Sequence, residues 1–517
     1  MKTLFTFLII LLSFIIVSAQ DVTVKIDLNN PLVKSQFQIG VTYTSGFWEY
    51  GNSTAVKNAT NPLVNGIAFQ NQHIMGWGVG NPEPQPGVYA WNDLDHRVNL
   101  MRSISAPMMI TFCTAPGWMK GTDDWAMEED VQDNHVEDFA ELCATIASRY
   151  PDVEYFQVWN EMKGYWSASL NNWDYVRYTE LYNAVYDAVK AVHPYAKVGG
   201  PYIPIQGDGG AALGKNGSDT YEPIGNRDWD VINYWLKNKK GADFFCYDYG
   251  LIDYHDTNKY TFTEKMKLTK YFGLIPKQLS QKTDLPIVIS EFYGGDDKSD
   301  QQFTAANHAS CYLNAILNNA SLGLIWNPEE GEIDNFLFTK TDNSAGGQPS
   351  SHYWVVEGIN RYFSKGTQIY STTSSSEDVE VLSSSEKTML INKTENPLTV
   401  VANGELEQLD RYEVKFIDTP ALTQVQNTQR SESSSEIKVV YSDSRPYLQI
   451  NIPSLANVNI RVFDGLGRQL ENFNRRLFPP INTIDIFQNS KNLPSGIFFV
   501  SIKGSGVNSA KRFYLVK

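Results

Sequence analysis

Between residues 36 and 365 the chain alternates eight short apolar runs with amphipathic stretches, and this alternation limits the fold more than any other feature. The runs are Phe37–Tyr43, Gly66–Met75, Pro107–Thr114, Val153–Asn160, Lys197–Tyr202, Phe244–Tyr254, Pro286–Ser290 and Leu322–Trp326. Several of the intervening stretches have helical spacing. Val136, Phe139, Ala140, Cys143, Ile146 and Ala147 fall on one face of a helix, and Leu181, Val185, Ala188, Val189 and Val192 on another. A third helix is predicted over roughly 303–317. Eight strands alternating with helices indicate an α/β barrel or a doubly wound sheet.

The pattern changes after residue 365. Four strands without helices follow (378–383, 387–392, 398–402 and 412–417), separated by Ser-rich and Asn-containing turns, and predict a small β-sandwich over 366–418. Residues 419–435 are polar and aperiodic and read as a linker. A last all-β module occupies 436–517. Its residues from 437 onward carry 11 Lys+Arg against 4 Asp+Glu, whereas the whole chain of 517 residues has a net charge of −15. That acidic balance argues against nucleic acid as a partner.

At the other end, Lys2, the apolar run Leu4–Val17 and the small residues Val17-Ser18-Ala19 read as a signal peptide over 1–19. No later stretch is long and apolar enough for a membrane span, so the expected location is secreted or on the outer cell surface. The four cysteines, Cys113, Cys143, Cys246 and Cys311, lie in apolar segments and read as small buried hydrophobes. Neither they nor the seven histidines have metal-ligand spacing. The acidic loop Asp296, Asp297 and Asp300 lacks the ordered spacing of a calcium site and reads as a solvated loop. No metal and no cofactor are expected.

In a barrel the catalytic groups sit at the C-terminal ends of strands. The fourth run ends in Val158-Trp159-Asn160-Glu161, and the seventh in Val288-Ile289-Ser290-Glu291-Phe292. These place two carboxyls across the mouth, as glycosidic bond hydrolysis requires: one protonates the leaving oxygen, and the other attacks the anomeric carbon or activates water. Spacing along the chain leaves retention and inversion both open. Other strand ends supply candidate sugar contacts: His73, Trp118, Trp166, Tyr254, His255 and Trp326. Twelve tryptophans suit a cleft in which sugar rings stack on aromatic faces.

The paired signatures Trp159-Asn160-Glu161 and Ser290-Glu291-Phe292 resemble those of glycoside hydrolase clan A. The stretches at 155–161, 197–202 and 285–292 bring the resemblance nearest to its β-xylosidase/α-L-iduronidase family. The likeness covers roughly residues 36–418. It implies a (β/α)8 barrel with an accessory β-sandwich and a retaining mechanism. Glu161 would be the acid/base, Glu291 the nucleophile, and Asn160 a partner of the sugar 2-hydroxyl. Tyr254 or His255 would hold the nucleophile ionised, and Trp326 would form the sugar floor. Two positions depart from the pattern: Met162 stands where proline commonly follows Asn-Glu, and no arginine ends the second strand. Residues 436–517 resemble the C-terminal sorting domain of type IX secretion, through 462–468, 493–500 and the terminal Lys511-Arg512-Phe513 and Lys517. The expected partners are a plant or algal polysaccharide or oligosaccharide and that secretion machinery. A catalytically inactive carbohydrate-binding barrel and a surface adhesion protein are the competing readings.

Overall fold

The computed structural model describes residues 21–44, 51–205, 222–251, 260–331, 334–419, 436–442, 445–452, 455–465, 468–487, 495–504 and 507–515. The signal peptide, most of the linker, and the candidates Tyr254 and His255 lie outside them. The chain divides into two compact units, Met1–Leu422 and Thr423–Lys517.

The first unit is built on a closed barrel of eight parallel strands. In chain order they are Ile39–Tyr43, Gln70–His73, Met108–Phe112, Tyr155–Val158, Lys197–Pro204, Phe244–Gly250, Ile287–Tyr293 and Ala320–Trp326. The eighth closes on the first, with Trp326 opposite Thr42. Strands covered by helices outside and side chains inside are buried on both faces, which is why they read as continuous apolar runs. The helices Val136–Arg149, Tyr175–Val192 and Gln301–Leu317 form where the helical spacing lies. Asp174 and Asp300 cap the second and third of these by accepting from the backbone amides of Arg177 and Phe303.

The barrel interior is not wholly apolar. Ser290 Oγ donates to Gln157 Oε1 at 2.7 Å, and Gln157 Nε2 donates to Thr111 Oγ1 at 2.6 Å. Thr111 Oγ1 donates to Asn71 Oδ1 at 2.9 Å, and Asn71 Nδ2 to Thr42 Oγ1 at 3.1 Å. This buried chain joins the seventh, fourth, third, second and first strands. A network in which each group has a partner rigidifies the interior on which the catalytic strand ends rest.

The accessory β-layer differs from the expected boundaries. Val22–Lys34, within the range assigned to the barrel, pairs instead with Gln368–Ser374 and Leu398–Ala402. It is the third strand in the order of a single seven-stranded sheet. Alternation along the strands sends side chains to opposite faces. Leu382, Met389 and Ile391 join the main core of the barrel unit. Val381 and Leu390 instead share a second core with Val22, Val24, Ile26, Val400 and Leu409, so both ends of the strand order close over one apolar layer.

The second unit is all-β, with a three-stranded sheet (Glu436–Ser442, Arg445–Asn451, Ile481–Asp485) and a four-stranded one (Ala456–Asp464, Gln469–Leu477, Gly496–Gly504, Val507–Leu515). Its core is separate, built on Leu448, Ile450, Ile460, Val462, Val500 and Phe513. The strands Gln469–Leu477 and Ile481–Asp485 carry the weakest signal in the sequence. Their polar, half-exposed faces weaken the apolar alternation on which strand reading depends. Among the described residues no helix is long and apolar enough to cross a membrane.

Candidate active site

Glu161 and Glu291 meet at the C-terminal mouth of the barrel together with a third acid, Asp248. Carboxylate oxygens of the three lie within 4.8 Å of one another. Asp248 belongs to the sixth strand and stands opposite Glu291 in the register of the seventh. Two irregularities in pairing shape the site. One falls between Ile289 and Glu291, the other between Pro201 and Ile203, where Tyr202 is the extra residue. Such bulges re-aim side chains near active sites.

Each carboxyl has its own surroundings. Glu291 is 3% exposed. Its Oε1 accepts from the Tyr202 hydroxyl at 2.7 Å, and its Oε2 from the Tyr293 hydroxyl at 2.5 Å. Glu161 keeps 25% of its side chain open, and its Oε2 lies 3.1 Å from the Lys163 ammonium. The same oxygen accepts from Asn160 Nδ2 at 3.0 Å. Lys163 also reaches Glu128 at 3.1 Å, and its backbone carbonyl accepts from the Trp159 indole at 2.8 Å. Asp248 is 7% exposed, and its Oδ1 has no hydrogen-bond partner.

Three carboxylates so close cannot all be ionised. At an effective dielectric constant of about 20, two unit charges roughly 5 Å apart repel by about 3 kcal/mol, equivalent to about two pKa units. Burial raises Asp248 well above the usual carboxylate range, and the charges of Glu291 and Glu161 push the same way. Burial and the charge of Glu161 raise Glu291 to about 8, against the lowering effect of Tyr293 and Tyr202. Burial also raises Glu161, but Asp248, Lys163 and Asn160 outweigh it, and the net direction is down. This order is the reverse of the one a protonated Glu161 and an ionised Glu291 would require. The hydrogen bond with Asp248 and the adjoining Lys163 ammonium both lower Glu161, while Glu291 accepts its hydrogen bonds from two neutral tyrosines.

Three oxygen donors could in principle hold a divalent cation. Calcium takes six to eight oxygen ligands, and here the Lys163 ammonium already supplies the positive charge beside Glu161. The acids of the loop after the seventh strand are engaged rather than free in solvent, contrary to expectation. Asp296 meets His308 Nε2 at 2.5 Å, Asp297 accepts from Ser299, and Asp300 pairs with Arg411.

Aromatic groups gather beside the acids. His73 is fully buried, with its ring centroid 4.3 Å from that of Trp77 and 5.6 Å from that of Trp326. Asn160 lies alongside, yet neither ring nitrogen of His73 nor Asn160 Oδ1 makes a hydrogen bond of good geometry. Burial lowers the imidazole to about 3, so it is neutral at ordinary pH. Trp118 packs edge-on against His135 and donates to the Glu83 carbonyl at 2.9 Å. Trp166 is half-exposed on a short hairpin, with the Arg227 guanidinium 5.5 Å from its ring centroid.

The structure thus joins Glu161, Glu291, Asn160, His73 and Trp326 and adds Asp248, Tyr202, Tyr293, Lys163 and Trp77. Asp248 carried one sequence signal, a lone acid inside the apolar run Phe244-Phe245-Cys246-Tyr247-Asp248-Tyr249. Tyr202 ends the fifth run, and Tyr293 follows the seventh signature. All four cysteines are free and buried.

No family model matches the sequence, and no curated relative matches it. Solved structures match the fold. The catalytic domain of GH30 xylanase C from Talaromyces cellulolyticus aligns with a TM-score of 0.51 at 12% identity, covering 89% of this chain and 99% of that one. A conserved exported protein from Bacteroides fragilis gives 0.54 at 12% identity, over 89% and 99%. SrfJ from Salmonella typhimurium gives 0.53 at 12% identity, over 76% and 92%. At this identity the likeness is one of fold. The chain has the barrel architecture found in glycoside hydrolases.

Proposed function

We propose that the chain is a secreted retaining glycoside hydrolase that cleaves β-glycosidic bonds of a plant or algal polysaccharide or oligosaccharide, in the manner of a β-xylosidase. The observation that carries this reading is the approach of a carboxylate oxygen of Glu161 to one of Glu291 within 4.8 Å at the barrel mouth. Retaining pairs lie about 5–5.5 Å apart, while inverting pairs leave roughly 6.5–9.5 Å for a water.

In this reading Glu161, the more open of the two, protonates the glycosidic oxygen as Glu291 attacks the anomeric carbon. Water then releases the sugar, with Glu161 taking its proton. Asn160, His73 and Trp326 contact the bound ring, and Trp118 and Trp166 line the cleft further out. Bound substrate has to invert the resting charge order. Positive charge developing at the anomeric carbon beside Glu291 favours its ionised form, and the proton of the cluster moves toward Asp248 and Glu161. Residues 1–19 would direct export, and 436–517 would serve type IX secretion. An inactive binding barrel or an adhesion protein leaves the two-tyrosine clamp on Glu291 without a role.

The test is product stereochemistry. NMR of the first-formed sugar from an aryl β-glycoside should show retention. Glu291→Ala should abolish turnover, with azide restoring it and giving a product of inverted configuration. Full activity in Glu291→Ala overturns the assignment. A polysaccharide screen with product analysis identifies the sugar.

A further inference from the structure

A two-carboxylate mechanism has no use for Asp248, yet the fold buries it beside the pair. Burying a third acid beside two others is costly unless it is protonated or paired. One of its carboxylate oxygens lies within 4.8 Å of an oxygen of Glu161 and of one of Glu291; Glu161 acts on it as a hydrogen-bond partner, and Glu291 through its charge. One of its oxygens has no partner. The groups facing it are Glu161 and Lys163 after the fourth strand, Tyr202 from the fifth, and Glu291 and Tyr293 from the seventh. Lys163 is the one cation among them and is committed to Glu161 and Glu128. Among the described residues no cation is left to balance an ionised Asp248 while Glu291 is ionised too.

We propose that Asp248 is a positioning residue that shares one proton with Glu161, passing it to Glu161 in the first half of the reaction and sharing the proton that replaces it after the second. This rests on the retaining reading above. In the first half the C1–O bond to the leaving group breaks, and the C1–O bond to Glu291 forms. The shared proton passes from Asp248 to Glu161 and on to the leaving oxygen, so both acids are ionised once Glu291 is held in its neutral ester. In the second half water adds to C1, and the bond to Glu291 breaks. Glu161 takes the water proton, and one proton is again shared with Asp248. Two acids sharing a proton titrate as a pair, whose upper pKa is raised by their mutual repulsion.

Asp248→Asn keeps the shape and a hydrogen-bond donor but cannot pass a proton. On an oligosaccharide or alkyl glycoside, whose leaving group needs protonation, kcat should fall about 100-fold. On a dinitrophenyl glycoside the fall should be much smaller. The alkaline limb of kcat/KM should move down by about one pH unit. A residue that only packs would lower both substrates alike and leave the limb in place, and that result overturns the proposal. A second measurement needs neither turnover nor a variant. In the full chain labelled with 13C-carboxyl aspartate, the infrared spectrum at pH 7 should show a protonated aspartic acid carbonyl band shifted by the label. Its absence overturns the proposal. If the band is present but no glycoside is hydrolysed by the wild type, the glycosidase reading fails and the shared proton stands.

Discussion

The Tyr202 hydroxyl donates to Glu291 Oε1 at 2.7 Å, although the two residues belong to the fifth and seventh barrel strands. A bulge on each strand makes the contact possible. A hydrogen bond to a charged group is worth about 1.5–3 kcal/mol. Tyr202→Phe should therefore lower kcat/KM roughly 10- to 100-fold. The hydroxyl favours the ionised carboxylate, so its loss should raise the already elevated Glu291 pKa further. The acid limb of kcat/KM against pH on an aryl glycoside should move to higher pH. An unmoved limb would exclude Tyr202 as the group that sets the charge of Glu291.

What was legible in the sequence follows from what each residue contacts. The barrel strands could be read because burial on both faces makes them apolar throughout. Glu161 and Glu291 could be read because each ends such a run. Val22–Lys34 could not be placed, because its partners are Gln368–Ser374 and Leu398–Ala402, more than 300 residues away, and nothing local records that pairing. Asp248 and Tyr202 were missed for a related reason. Each lies within an apolar strand run, and only cross-strand register and the bulges turn them toward the acids. Lys163 was hidden because a lysine two residues after a glutamate is ordinary on a surface.

The buried charge at Glu291 makes stability depend on pH. Its folded-state pKa is about 8, above the unfolded value of about 4.3. Below pH 4 both states hold the proton, and the contribution is fully present. As pH rises toward 8 the unfolded chain releases its proton first, so stability is lost across that window. Glu291→Gln removes the titration. The variant should be more stable than the wild type at pH 8, on the order of a few kcal/mol, and melt at a higher temperature. The gap should close near pH 4. Equal melting curves across the range would show that Glu291 is not held at an elevated pKa.

Met162 occupies the position where proline follows Asn-Glu in the resembling family, and its φ of 57° explains the difference. Trp159 and Glu161 are left-handed too, at 69° and 50°. Proline is fixed near −65° and cannot adopt this backbone. Met162→Pro should cost about 3 kcal/mol or more and misplace Glu161, so both melting temperature and kcat should drop. Met162→Leu, which conserves volume at a buried site, should cost less than about 1.5 kcal/mol. Circular dichroism melts of the two variants make the comparison. Equal stability would mean that this loop does not require the left-handed residue.

His73 separates recognition from packing. Its ring lies against Trp77 and Trp326, and both of its nitrogens are buried without hydrogen bonds. Phenylalanine fills a similar ring-shaped space and removes two unsatisfied polar atoms. Leaving such a group unpaired costs about 1–3 kcal/mol, so His73→Phe should be at least as stable as the wild type. If the imidazole bonds a sugar hydroxyl, the same change should raise KM and lower kcat/KM roughly 10- to 100-fold. Because burial holds the imidazole at about 3, the loss should be the same at pH 5 and pH 8. A variant that is stable and fully active would make His73 a packing residue and leave sugar recognition to Asn160 and the tryptophans.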